Sequence, residues 1–205
     1  MILGLDHDKV ECSPPEQFIF VHPPRTGGTS IETSFIPSSW EETQTKHLPA
    51  SSYGDHVLNK SFVFATIRNP FDIIVSKYRT GWYSPFIKYD DPIDDVKLSF
   101  SLWLSHYVSG NCPTHNEYGS MLVDYLDRSV DFIIRYESRD NDINNMSRIF
   151  TKFMNIHVNI DTKIHESNTF DGKHYSEYYN DNSKRLAENF CKEDLETFNY
   201  DFCKG

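Results

Sequence analysis

The sequence predicts an α/β domain built on a largely parallel sheet, because three short apolar runs alternate with segments of helical periodicity. The runs at 18–21, 62–67 and 131–135 are rich in aromatic and β-branched residues, and the first two read as strands buried on both faces. Helical patterns fall near 28–36, 70–82, 98–108, 140–154 and 183–198. The 205 residues hold no low-complexity linker and no internal repeat, so 1–205 is expected to be a single domain with mass enough for a substantial core.

The first run, Phe18-Ile-Phe-Val21, is stopped by Pro23-Pro24 and followed by Gly27-Gly28, where backbone without a Cβ can approach a ligand. Thr29-Ser30 then open a helix whose free N–H groups and positive dipole end face whatever the turn holds. Arg25 adds a permanent positive charge, and the hydroxyls of Thr26, Thr29 and Ser30 add donors, so the turn reads as an oxyanion cradle. The second run, Phe62–Ile67, ends at Arg68, with Asn69 as helix N-cap and Pro70 as the first helical residue. Phe71, Ile74, Val75, Tyr78 and Trp82 recur at helical spacing, which predicts a face packed on the sheet. Arg68 therefore stands at a strand's carboxyl end beside a helix start, where open α/β sheets gather their ligands. Ser76 lies about two turns into that helix, along its flank. After the third run, Ile143, Met146, Ile149, Phe150 and Phe153 form a core stripe, and Leu186, Phe190 and Leu195 form another near the end.

A net charge of −10 argues against a general nucleic-acid binder, which needs a basic face. Arg25 and Arg68 would instead be focused positive points, suited to a small polyanion. The turn is not a Walker A loop, since the first glycine and the following lysine of that motif are missing. No H-E-x-x-H or comparable cluster appears among the nine histidines, so no metal is expected. The four cysteines, Cys12, Cys112, Cys191 and Cys203, form no C-x-x-C pair; reduced thiols are expected, with a Cys191–Cys203 bridge the alternative in an exported protein.

The string His22-Pro-Pro-Arg-Thr-Gly-Gly-Thr-Ser30 resembles the 5′-phosphosulfate-binding loop of the sulfotransferases, whose glycan-acting members carry H-x-P-[KR]-T-G-G-[ST]-[ST]. Arg68-Asn-Pro-Phe-Asp72, followed by Ser76 and Tyr78, is similar to the 3′-phosphate-binding motif of the same family, an arginine paired with a serine eight residues later. The segment Asp131–Glu137 resembles a later core strand, and Asp194-Leu-Glu-Thr-Phe-Asn-Tyr-Asp-Phe202 the closing D-L-E-x-F-x-Y-x-F of family members. The chain resembles the glycan-acting, heparan sulfate 2-O-sulfotransferase-related branch of that family, over most of its length except about 82–128. It implies a three-layer, P-loop-like fold of nucleoside-kinase type, with 3′-phosphoadenosine 5′-phosphosulfate (PAPS) as co-substrate and a hydroxyl, on a carbohydrate by resemblance, as acceptor. It assigns donor binding to Arg25, Thr26, Gly27, Gly28, Thr29, Ser30, Arg68 and Ser76. Lys173, in the loop 171–175, would close over a phosphate, and Tyr175 or Tyr178 would stack on adenine; a plain Gly-Lys surface turn explains the same residues.

Arg25 stands where many relatives have lysine. It is expected to stabilise the charge that grows on the departing oxygen without giving up a proton, since a guanidinium stays protonated. The acceptor hydroxyl needs a base, for which His47, in the loop before the second strand, is the first choice. Glu32, His22, His56 and Glu137 are the other candidates, although Glu32 in a helix's first turn is explained by the dipole alone. The Gly81–Tyr89 stretch has aromatic faces that suit sugar rings or a packed loop. No targeting or membrane segment is recognisable, so the expectation is a soluble, cytoplasmic protein, or a Golgi luminal domain if trimmed. The alternatives are a non-catalytic binder of adenosine bisphosphate and a P-loop-like kinase.

Overall fold

The computed structural model describes residues 15–35, 47–81, 99–109, 122–154 and 171–202, with side chains for all of these except 33–35, 153 and 154. Among them are strands β1 (Gln17–Val21), β2 (Ser61–Ile67) and β3 (Phe132–Arg135). The longer helices are α1 (Gly28–Phe35), α3 (Pro70–Arg79), α4 (Phe100–Val108), α6 (Arg139–Met154), α7 (Asp181–Phe190) and α8 (Lys192–Phe198). Single turns α2 (Asp55–Leu58) and α5 (Leu122–Tyr125) lie between them. The protein is thus α/β, as the alternation of patterns predicts.

The strands are parallel in the order β1-β2-β3, with Phe18 opposite Phe62 and Phe64 opposite Phe132. Successive side chains point to opposite faces. Phe18, Phe20, Phe62, Phe64, Phe132 and Ile134 line one face and pack against Ile31 of α1 and against Ile143, Met146, Ile149 and Phe150 of α6. Ile19, Val21, Val63 and Ala65 line the other, against Ala50, Val57, Leu58 and Tyr125. Burial on both faces is why the strands read as continuous apolar runs. Phe153, the last member of the α6 stripe, lies outside the described side chains.

Two expectations need correcting. The face of α3 that carries Phe71, Ile74, Val75 and Tyr78 does not pack on the sheet. It packs against Phe100, Trp103, Leu104 and Tyr107 of α4 and against Tyr175, Ala187 and Cys191. Ile73 makes the sheet-side contact, beside Ile67, Leu122 and Phe198. Helical spacing identifies an apolar face but not its partner. Trp82 lies outside the described residues, as does the rest of the 82–89 stretch. The pattern at 183–198 is two helices, broken at Cys191. Asn180 starts the first by accepting from Ser183 N–H while Ser183 Oγ accepts from Asn180 N–H. Leu186, Phe190 and Leu195 do pack onto the large cluster.

The Cys191 thiol is reduced and buried, donates to Ala187 O at 2.8 Å, and is pushed well up by burial. Cys12, Cys112 and Cys203 lie outside the described residues. No helix among the described residues is long and apolar enough to cross a membrane.

Candidate functional site

Val21 of β1 pairs with Ala65 of β2, so the turns that leave the two strands emerge side by side at the carboxyl edge of the sheet. One turn carries Arg25 to Ser30 and the other Arg68. They are joined directly. Arg25 Nε donates to Ser76 Oγ of α3 at 3.0 Å, and Arg68 Nη1 donates to the Arg25 carbonyl at 3.2 Å. Arg25 itself has a φ of 67°, a left-handed conformation costly for a residue with a Cβ and held here by these contacts.

The glycine pair has a reason the sequence does not show. A Cβ on Gly28 would lie 2.0 Å from His22 Cδ2, and one on Gly27 would lie 2.8 Å from Tyr136 Cδ2. Gly27 also has a φ of 85°. The space that a Cβ would take is therefore filled by two rings of the protein itself. Thr26 is buried, and its hydroxyl bonds to Pro23 O at 2.6 Å and to Thr66 Oγ1 at 2.7 Å, tying the turn to β2. Its role at the turn is anchoring. Ser30 is buried in the first turn of α1, whereas Thr29 is exposed.

Arg68 is not a bare cation. Its Nε and Nη2 both lie 2.7 Å from Asp72 Oδ2, one helical turn on, and its guanidinium lies 4.0 Å from the centroid of the Tyr136 ring. Asn69 caps α3 by accepting from Phe71 N at 3.0 Å, as expected. Its Nδ2 donates to Asp201 O at 2.9 Å, and its own N–H donates to Glu137 Oε1 at 2.6 Å.

Three of the candidate bases meet. His47 Nδ1 lies 2.7 Å from the His22 carbonyl, His22 Nδ1 lies 3.1 Å from Glu32 Oε1, and the two imidazole rings are 4.7 Å apart edge to face. Glu32 is the fifth residue of α1, past the first turn, so the dipole does not account for it. Glu137 is committed elsewhere, bridging Asn69 N and Tyr200 OH. His56 is exposed on α2, before β2 begins.

Lys173 is not brought to this cluster. Its carbonyl accepts from Arg79 Nη2 at 2.6 Å, at the opposite end of α3 from Arg68, and its ammonium lies 6.0 Å from the Tyr178 ring. Tyr178 donates to Asp171 and sits under Arg79, while Tyr175 is buried with its hydroxyl on Phe202 O at 2.6 Å. Both tyrosines thus have structural partners.

Tyr136, Asp72 and Lys77 take part in the site although the sequence motifs assign them no role in it. Asp72 is legible as the i+4 partner of Arg68. Lys77 follows Ser76 but points inward. It is fully buried, donates to Tyr107 OH at 2.8 Å, and burial lowers its pKa to about 7, with Arg25 lowering and Asp194 raising it. Asp194, also buried, accepts from Leu122 N and Val123 N at 3.1 and 2.9 Å and is raised to about 6, chiefly by burial. Among the described residues no group of three or more His, Cys, Asp or Glu has metal-holding geometry. No protein-family model matches the chain, and no curated protein matches it significantly.

Proposed function

We propose that the chain is a sulfotransferase that moves a sulfuryl group from PAPS to an acceptor hydroxyl on a carbohydrate, on a P-loop-like scaffold of nucleoside-kinase type. The observation that carries this reading is the Arg25–Ser76 bond, because it unites two separately recognised anion motifs at one sheet edge. A donor with a phosphate at each end of its ribose needs two adjacent anion sites. Two guanidinium groups, a serine hydroxyl and the amino ends of α1 and α3 offer them.

In this reading the 5′-phosphosulfate lies on the turn from Arg25 to Ser30, and the 3′-phosphate lies between Arg68 and Ser76. The acceptor oxygen attacks sulfur as its proton passes to His47 Nε2. The sulfur–oxygen bond to the donor phosphate breaks, and adenosine 3′,5′-bisphosphate leaves. Arg25 faces the charge that grows on the departing oxygen and keeps its own proton. Lys173 stands outside this scheme.

Thermal shifts test it. Adenosine 3′,5′-bisphosphate at about a hundred times its Kd should stabilise the protein by about 2.7 kcal/mol, while AMP should do much less. Stabilisation by ATP with magnesium alone would point to a kinase and sink the proposal. Bisphosphate binding without sulfate transfer to any glycan or phenol acceptor would point to a binder.

A further inference from the structure

The end of β1 and the second turn of α1 hold a chain of contacts that the transfer reading uses only at its last member. His22 is 4% exposed, stacked on Phe20 with ring centroids 5.6 Å apart, and bounded by the Gly28 backbone. Glu32 Oε1 lies 3.1 Å from its Nδ1. A carboxylate can only accept, so Nδ1 of the neutral His22 ring carries the proton. The His22 carbonyl lies 2.7 Å from His47 Nδ1. A carbonyl also only accepts, so His47 is likewise an Nδ1–H ring, with its basic lone pair on Nε2. Free histidine prefers the opposite tautomer, so something in the fold must impose this one.

We propose that Glu32 is a positioning residue which, acting through His22, holds the His22 carbonyl where it fixes His47 as the Nδ1–H tautomer with Nε2 as the proton-accepting atom. Glu32 anchors the ring, the anchored ring sets the backbone at the end of β1, and that backbone carbonyl selects the tautomer. Only the turnover part of this inference rests on the sulfuryl-transfer reading; the tautomer part stands without it.

Long-range proton–nitrogen spectra of the protein with labelled histidine, recorded at alkaline pH, read the tautomers directly. His22→Ala and His47→Ala variants assign the signals. The wild type should show Nδ1–H at both rings. In Glu32→Ala the His47 signal should move toward the Nε2–H form, with kcat lowered about ten- to a hundred-fold, the usual effect of losing a histidine's orienting partner, and KM for the donor unchanged. Glu32→Gln retains an accepting oxygen and should restore both the tautomer and most of the turnover, which a charge-based role would not predict. An Nε2–H ring at His47 in the wild type, or a His47 tautomer indifferent to Glu32→Ala, overturns the inference. Tautomers that respond to Glu32 in a protein with no transfer activity would support it and count against the transfer reading alone.

Discussion

Gly28→Ala tests the packing of the anion turn most directly, because the position has no left-handed backbone to complicate the result. The added methyl would lie 2.0 Å from His22 Cδ2 and 2.3 Å from Nε2. Carbon contacts settle near 3.5–4.0 Å, so the ring must retreat by roughly 1.5 Å. It is held between Phe20, Glu32 and His47, and the retreat breaks the bond to Glu32. Overpacking costs about 1–3 kcal/mol and a charge-assisted hydrogen bond about 1.5–3, against at most about 1 gained from alanine in a helix. The net loss should be about 2–5 kcal/mol, read as a lowered urea midpoint at constant slope. Gly172→Ala is the control. With a φ of 81° and nothing within 4 Å, it should lose only the backbone term of about 1–2 kcal/mol. Adding His22→Ala to Gly28→Ala should relieve the clash, giving a coupling energy of about 1–3 kcal/mol between the two sites. A Gly28→Ala protein as stable as wild type would refute the argument that the ring, not a ligand, requires the glycine.

Lys77 makes stability depend on pH in an unusual direction. Its folded pKa, about 7, lies below the ordinary 10.5, so the unfolded chain binds more protons between those values and stability rises with pH across that window. Asp194, raised from 3.8 to about 6, acts oppositely and loses stability as pH climbs through its window. The gain in urea midpoint from pH 7 to 9 should therefore be smaller in Lys77→Met than in wild type, and an equal gain would show that Lys77 titrates normally. Ser76→Ala removes the acceptor of Arg25 Nε and a donor at the proposed 3′-phosphate site. It should weaken adenosine 3′,5′-bisphosphate by about 5- to 20-fold in calorimetry, and unchanged affinity would separate Ser76 from the ligand. Asn69→Ala loses a helix cap and the bond to the Asp201 carbonyl, so it should lower unfolding free energy by about 2–4 kcal/mol; a loss under about 1 would mean the tail is held by other contacts.

The strands were legible because a strand covered on both faces leaves a mostly apolar run, and 18–21, 62–67 and 131–135 each fall within one or two residues of the observed limits. The Asn69 cap was legible because its acceptor serves Phe71, two residues on, and the Arg25 turn because Pro23-Pro24 and Gly27-Gly28 punctuate the chain on either side of it. What stayed hidden depends on distant segments. Tyr136, more than a hundred residues on, explains Gly27 and covers Arg68. The packing partner of α3 is supplied by α4 and by residues beyond 171. Lys173 reads as a ligand residue in sequence because the group that fixes its carbonyl, Arg79, lies on another element. Similarly, His22, Glu32 and His47 each look like an isolated candidate base in sequence and form one chain only after β1, α1 and the residue 47 segment are brought together.

The second anion motif is held in place from the far end of the chain. Asn69 positions the start of α3 and is tied to Asp201 across 132 residues, and Glu137 bridges its backbone to the Tyr200 hydroxyl. Tyr175 secures the Phe202 carbonyl, and the Phe202 ring stands edge-on to Phe71 at 5.0 Å. Asp194 caps α5, and the Phe198 carbonyl accepts from Arg135 at the end of β3. The closing segment 194–202 is therefore a clamp on the edge of the sheet from which Arg68 projects. These bonds immobilise the turn beneath Arg68. Here those bonds come from the last residues of the described chain, so a change that frees the tail should weaken adenosine 3′,5′-bisphosphate at the proposed Arg68 site, read by calorimetry, before it lowers the urea midpoint.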